Sequence, residues 1–533
     1  MEYNNSDQME FLKPPQNKLL VIIPAISMFL ITLVTTLNHS WPMSWDVIYH
    51  VLYAKVYTQY GFVLVNPLLN YPIGQKIGYP PLFHFLIASL GTLFRVDYFE
   101  IARALQPFLA FFVILSVTIV AKKFYGTIAG LSAGFLMISS TVIYRIMLPV
   151  PENLALIFLP LAAYLYYVSV KEKNIRYALI SGILMLIIAA THQAALLCLI
   201  LVITGFTIIE LVIYRNKSVL KNYGAFLLSL LVLIAIAVVA ILIFKPTLLQ
   251  SIFSLGVTAV LGFGTSLNYN QPLSVIKYLR NFGLLLTVFS LLGAIIAVKM
   301  RRKKDIYIFT WIIIMLLLSK AYYFGINVLS SRVLIYIVIP LSILGGFGVS
   351  QAYYRLKDHK RFSSKRFRSA FLICMFSLSL LFGVLNISDP NMGTYSANTI
   401  FGSVQIAPPS SSEVELANWF KLNGDKNKSI SISNLYTGVF IATEAEMPIN
   451  YEFANINNET PRSYFEANNI GYIVYDKRLV LPPDYNTLNR YQANSEMYPL
   501  FYYNKILYQN VDKLKPDFTK VVYENKDFIV CEV

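Results

Sequence analysis

Nine runs of 17 to 21 mostly apolar residues dominate this chain, at 19–37, 104–121, 127–144, 154–170, 194–214, 225–244, 282–298, 333–350 and 369–387. A helix of about 20 residues crosses the ~30 Å hydrocarbon layer of a bilayer, with 17 as the lower bound. Two shorter runs, 177–191 and 306–319, keep the loop topology consistent and bring the expectation to about eleven spans. Composition agrees: 56% of residues are hydrophobic and 14% charged, whereas soluble domains carry about one quarter charged residues. An ordinary soluble enzyme and a disordered chain are both excluded, and a polytopic α-helical membrane protein is expected.

The distribution of charge orients these spans. The net charge is +16, yet residues 388–533 hold 12 basic and 17 acidic residues, leaving 32 basic against 11 acidic before them. Lys and Arg accumulate in short cytoplasmic loops. With a cytoplasmic N-terminus (1–18), 22 of those 32 fall on the inner side, at Lys13 and Lys18, Lys122 and Lys123, and in 171–176, 215–221, 299–304 and 355–368. The basic excess therefore belongs to membrane loops, and a nucleic-acid partner is not expected.

Counting the apolar stretch 79–94 as another span would reverse every later loop, so it reads as a helix on the outer surface, within one long outer loop, 38–103. The first run has a basic flank and no small-residue cleavage site, which reads as a retained anchor. The transmembrane domain is then 19–387, and 388–533 is an extracytoplasmic domain. A capped helix at 412–422 and short β-type runs at 429–434, 470–475, 518–523 and 528–533 make that domain α/β. Cys198, Cys374 and Cys531 suggest neither a disulfide framework nor a cysteine metal site.

This topology leaves four carboxylates on the outer side ahead of the tail: Asp46, Asp97, Glu100 and Glu152. Asp97 and Glu100 alternate with Arg95 and Arg103 at helical spacing and read as a surface helix with its own ion pairs. Asp46, in W-D-V-I-Y-H, and Glu152, in L-P-V-P-E-N-L, sit at one membrane depth, where two carboxylates suit a shared divalent cation or an acceptor hydroxyl or amide. The plainer reading of Glu152 is an acid at a helix start behind Pro151.

A lipid phosphate on this face needs positive charge. Arg332 begins one span from outside and Lys320 ends the previous one; each also suits a snorkelling anchor. His50, His84 and His192 lie on the same side without zinc-motif spacing, and His192 in T-H-Q reads as a polar turn. The stretch 262–278 reads either as a flap over the site or as an interfacial loop.

The first outer loop, with W-D-V-I-Y-H-V-L-Y-A-K and then L-L-N-Y-P-I-G-Q-K-I-G-Y-P-P-L-F-H-F-L-I-A, resembles that of archaeal oligosaccharyltransferase catalytic subunits and, more broadly, of GT-C glycosyltransferases. The resemblance extends to Pro151-Glu152 in the second outer loop and to the layout of spans and external tail. It implies a membrane glycosyltransferase moving a sugar or oligosaccharide from a polyprenyl (dolichyl) phosphate or diphosphate donor to a protein or glycan acceptor. By the same resemblance, Asp46 is the catalytic acid of the first loop and a metal ligand, and His50 is the His close behind it. Glu152 is the second catalytic and metal-ligating acid, Arg332 holds the donor phosphate, and the metal is Mg²⁺ or Mn²⁺.

The chain departs from the pattern twice. Where the family usually has a further acid or His before the second acid, it has Leu148, Pro149 and Val150. Where oligosaccharyltransferases carry W-W-D-Y-G to grip the Ser or Thr of an acceptor sequon, the nearest segment is S-N-L-Y-T-G at 433–438. A transferase that uses a polyprenyl-phosphate monosaccharide to extend a lipid-linked glycan is therefore the alternative. From other classes, a transporter or flippase conflicts with carboxylates gathered at one surface, and a non-catalytic glycolipid-binding relative is the last alternative.

Overall fold

In the computed structural model, residues 20–244, 273–324, 330–358, 361–388, 394–399, 401–482, 490–493 and 499–533 are described. Helix α1 is Ile23–Leu37, and the segment that follows forms α2 (Asp46–Tyr60), a two-stranded ladder of β1 (Val65–Asn66) and β2 (Gln75–Lys76), and α3 (Leu82–Phe94). Next come α4 (Tyr98–Tyr125), α5 (Thr127–Ile138), a 3-10 turn (Thr141–Met147), α6 (Pro151–Lys171), α7 (Ile175–Ala189), α8 (Gln193–Val212) and α9 (Val219–Phe244). The remainder of the helical body is α10 (Val275–Phe282), α11 (Leu284–Met300), α12 (Lys303–Leu318), α13 (Ser330–Asp358) and α14 (Lys365–Ile387).

Among the described residues, six helices are long and apolar enough to cross a membrane, or eight if the bent pairs α5 with its 3-10 turn and α10 with α11 each cross once. Reaching the eleven expected crossings requires the shorter α1, α7 and α12 as well. The centre of the bundle is α13, which is 94% buried over its apolar window and runs against α5, α11 and α12. Its contact with α11 is close because Gly293 and Gly348 face it: a Cβ on Gly348 would lie 2.2 Å from the Phe289 carbonyl oxygen. Small residues that let helix backbones approach are a main source of packing energy where lipid removes the hydrophobic drive.

The run expected as one straight span at 127–144 is broken. α5 stops at Ile138 and the chain turns by 90° into the 3-10 segment. Ser139 and Ser140 donate their hydroxyls to the Leu136 and Met137 carbonyls, competing with the helix ladder. The amide of Asn386 then donates to the Ser139 and Ser140 carbonyls at the break, where both serines are buried.

The tail contains β3 (Tyr395–Thr399), β4 (Gly402–Ala407), α15 (Ser411–Asn423), β5 (Ser429–Ile432), α16 (Leu435–Ala445), β6 (Ile449–Asn450), α17 (Arg462–Ala467), β7 (Ile470–Asp476), β8 (Arg490–Ala493), β9 (Leu500–Tyr503), α18 (Lys505–Gln509), β10 (Lys520–Glu524) and β11 (Phe528–Glu532). A mixed sheet of order β10-β11-β7-β5-β6 forms its middle, with β5 parallel to β6 and β7. All seven residues of β7 are buried, as expected of a strand covered on both faces. The loop between α1 and α4 closes the β6 edge through Ile449 N to Leu68 O (2.8 Å) and Tyr71 N to Ile449 O (2.9 Å). Loop and tail therefore share one core, in which Val47, Val51 and Phe83 pack with Leu416, Val439 and Phe440.

Candidate active site

Asp46 is the first residue of α2, where the helix dipole favours a carboxylate. Its Oδ2 lies 3.9 Å from Nη2 of Arg332, and the two side chains are 42% and 47% exposed, so the pair sits in an open cleft. Arg332 stands in the first turn of α13, where the dipole disfavours a cation. What holds it there is local: the Asp46 charge, the Glu152 charge and the Tyr79 phenol. Surrounding protein raises the Asp46 pKa above the ordinary carboxylate value, while Arg332 and then Arg145 pull it back and Glu152 adds to the rise.

Glu152 follows Pro151, the first residue of α6, and is 6% exposed. Its Oε2 is 2.5 Å from Nη2 of Arg145, which lies on the 3-10 turn after the break. The amide of Asn153 locks that turn by donating to the Arg145 carbonyl (2.7 Å) and the Leu148 carbonyl (2.6 Å). The other carboxylate oxygen, Oε1, is buried, and the Tyr336 phenol also faces this carboxylate.

His192 caps α8: its Nδ1 accepts from Ala195 N at 3.3 Å, which leaves the proton of the neutral ring on Nε2. Burial drops its pKa to about 4 against the opposing pull of Glu152. His50 and His84 pair directly, Nδ1 to Nε2 at 3.0 Å, and are 3% and 0% exposed. Burial keeps both neutral, with His84 at about 3 and His50 well below its usual value. Tyr79 and Phe83 pack against the His50 ring, about one turn along α2 from Asp46.

Asp46, Glu152 and Arg332, read separately from distant parts of the sequence, thus interact at one end of the bundle, with His192 at their edge. Lys320 is engaged elsewhere, donating to the Leu273 carbonyl and to Tyr322 and lying over the Tyr278 ring. Asp97 caps α4, and Glu100 pairs with Arg103 at 2.8 Å, as a surface helix requires. Residues 262–272 of the expected flap lie outside the described residues. Sequence reasoning missed Arg145, although it is the only charged residue between Lys123 and Glu152; treating 127–144 as one span left it an unremarked loop residue. It also missed Tyr79 and Tyr395, aromatic groups near Asp46.

The expected Mg²⁺ or Mn²⁺ site meets a poor donor set. Each of the two carboxylates faces a guanidinium, and no third His, Cys, Asp or Glu joins them among the described residues. Among the described residues, the set does not fit a resident divalent ion.

The fold recurs in solved structures. The oligosaccharyltransferase of Archaeoglobus fulgidus aligns with a TM-score of 0.60 at 14% identity, over 88% of this chain and 70% of that one. The fold is that of the GT-C glycosyltransferases. ArnT from Cupriavidus metallidurans, bound to undecaprenyl phosphate, aligns with a TM-score of 0.56 at 11% identity over 96% and 97% of the two chains. The mycobacterial arabinofuranosyltransferase AftD gives 0.60 at 12% over 98% of this chain and 40% of its own. Further structures of the A. fulgidus enzyme hold an inhibitory peptide with a dolichol-phosphate, or Zn and sulfate. No family model and no curated protein matches the sequence.

Proposed function

We propose that the chain is a membrane glycosyltransferase that takes a sugar from a polyprenyl-phosphate donor and passes it to an acceptor hydroxyl at the end of the bundle where Asp46 lies. The observation that carries this reading is the meeting of Asp46, Glu152 and Arg332 in one cleft of a GT-C fold. Neighbours of that fold bind dolichol-phosphate and undecaprenyl phosphate, which supports a lipid-phosphate donor.

In the proposed step, Asp46 accepts the proton of the acceptor hydroxyl. The hydroxyl oxygen bonds to the anomeric carbon while the carbon–oxygen bond to phosphate breaks, its electron pair staying on the phosphate oxygen. Arg332 faces that oxygen as charge builds on it. No step passes through Mg²⁺ or Mn²⁺, because the donor set described above does not suit one.

The segment 433–438 favours a glycan acceptor over a sequon peptide. Asn434 donates its amide to Asp476 (2.8 Å) and Thr437 donates its hydroxyl to Glu413 (2.7 Å), so both side chains serve the tail's interior. Tyr436 meanwhile packs on Trp45, next to Asp46, at 4.7 Å between ring centroids. The lipid-linked-glycan alternative is therefore preferred to transfer onto an N-x-S/T acceptor.

The test is transfer by purified protein from polyprenyl-phosphate sugars and lipid-linked oligosaccharides to glycan and to sequon-peptide acceptors. Asp46→Asn is expected to lower the rate by about 10²–10⁴-fold with unchanged membrane insertion; an Asp46→Asn enzyme at wild-type rate refutes the assignment.

A further inference from the structure

Arg145 has no part in the mechanism so far, yet it makes the shortest charged contact of the site, 2.5 Å to Glu152. Its position is costly and built: a broken helix, two serine hydroxyls turned onto backbone carbonyls and the Asn153 amide clamp all serve to present it there. A buried acid that exists only to begin a helix needs none of this. The Arg145 side chain is 15% exposed and its field reaches both Asp46 and Arg332. With Nη2 on Glu152 and Nη1 reaching the Ser331 carbonyl at 3.5 Å, the five N–H donors of the guanidinium still leave some for a second anion.

Resting on the proposed transferase reading, we infer that Arg145 and Arg332 form a two-guanidinium cradle for the donor phosphate, that Glu152 positions Arg145 instead of binding metal, and that the reaction runs without a divalent cation. The charge count supports this. A polyprenyl-phosphate sugar is a phosphodiester with one negative charge, and its departing polyprenyl phosphate carries two once the bond electrons remain on oxygen. Two carboxylates against two guanidiniums start neutral; when Asp46 takes the acceptor proton, the site gains one positive charge as the phosphate gains one negative. A divalent ion added to this set would crowd two guanidiniums and compete with Arg145 for Glu152. Planar, permanently charged guanidinium is the side chain suited to paired contacts with phosphate oxygens.

The experiment measures dolichyl phosphate binding and sugar transfer by the purified full chain, in EDTA and with Mg²⁺ or Mn²⁺ added. Wild-type affinity and rate are expected to differ by less than about twofold between the two conditions. Arg145→Ala and Arg332→Ala should each weaken dolichyl phosphate binding by about 10–100-fold, the range for a hydrogen bond to a charged group, with Arg145→Lys intermediate. Added guanidinium ion should restore part of the Arg145→Ala rate, an effect that a purely structural role would not show. Glu152→Gln should weaken binding less than Arg145→Ala while leaving metal independence intact. Binding or transfer that collapses in EDTA and returns with Mg²⁺ or Mn²⁺ overturns the inference, as does wild-type binding by Arg145→Ala. Arg145-dependent binding without any transfer would instead count against the transferase reading and leave the cradle standing.

Discussion

Asp46 works between opposing fields, and their balance is measurable. The surrounding protein and the Glu152 charge disfavour its ionised form, whereas Arg332 and Arg145 favour it. As the proposed base it would act only when ionised, so kcat/KM should fall as pH drops, with an acid limb above the ordinary 3.8 because the net shift is upward. Arg332→Gln removes the largest opposing charge and should move that limb to higher pH, read from the pH profile of the residual kcat/KM; a limb that stays or moves down contradicts the role of Asp46 as base. Asp46, Glu152 and Arg332 were legible in the sequence because an uncompensated charge beside a bilayer is expensive and stands out. Arg145 was not, since its meaning depends on a turn that the apolar pattern does not encode.

The break after α5 shows why elements are harder to read than charges. Ser139, Ser140 and Thr141 sit in an apolar run and give no strong stop signal, yet their hydroxyls and the distant Asn386 redirect the chain by 90°. Where local capping decides the boundary, reading succeeds: the tail helix expected at 412–422 is Ser411–Asn423, fixed by the reciprocal Ser410 and Glu413 capping box. Helix α3, expected over 79–94, starts at Leu82 behind Pro80 and Pro81. Between α2 and α3, the His50–His84 pair has an energetic consequence. The folded state holds His84 at about 3, below its ordinary 6.5, and His50 is depressed as well. The unfolded chain therefore binds more protons below pH 6.5, and the stability present above that value is lost as pH falls toward the folded values. Each such group should cost about 1.4 kcal/mol per pH unit in this window. Thermal unfolding in detergent from pH 7 to 5 should show this decline, and His84→Phe should flatten its slope; an unchanged slope would place the sensitivity elsewhere.

At the scale of the whole molecule, the charge pattern and the fold agree on two ends. Lys304 reaches the Phe124 carbonyl, Lys303 pairs with Glu210, and Asn222 bonds the Ser169 carbonyl, gathering the basic loops 122–125, 169–176, 210–222 and 299–305 at one end. Asp46, Glu152, His192 and Arg332 gather at the other, beneath the tail that shares its core with the first outer loop. Sequence spacing could supply the alternation but not this shared core, because Trp45 meeting Tyr436 and Leu68 pairing with Ile449 join segments almost 400 residues apart. Lys and Arg stay on the cytoplasmic side during insertion, so the basic end should face the cytoplasm and the end that holds the Asp46 cleft the exterior. Lys217 and Asn423 are exposed at these two places, while Cys198 and Cys531 are buried. In intact cells a membrane-impermeant maleimide should label Asn423→Cys and leave Lys217→Cys unmodified until the membrane is opened. A Cys374→Ser background removes the exposed native thiol. The reverse labelling pattern would put the cleft in the cytoplasm and require a donor whose sugar faces inward.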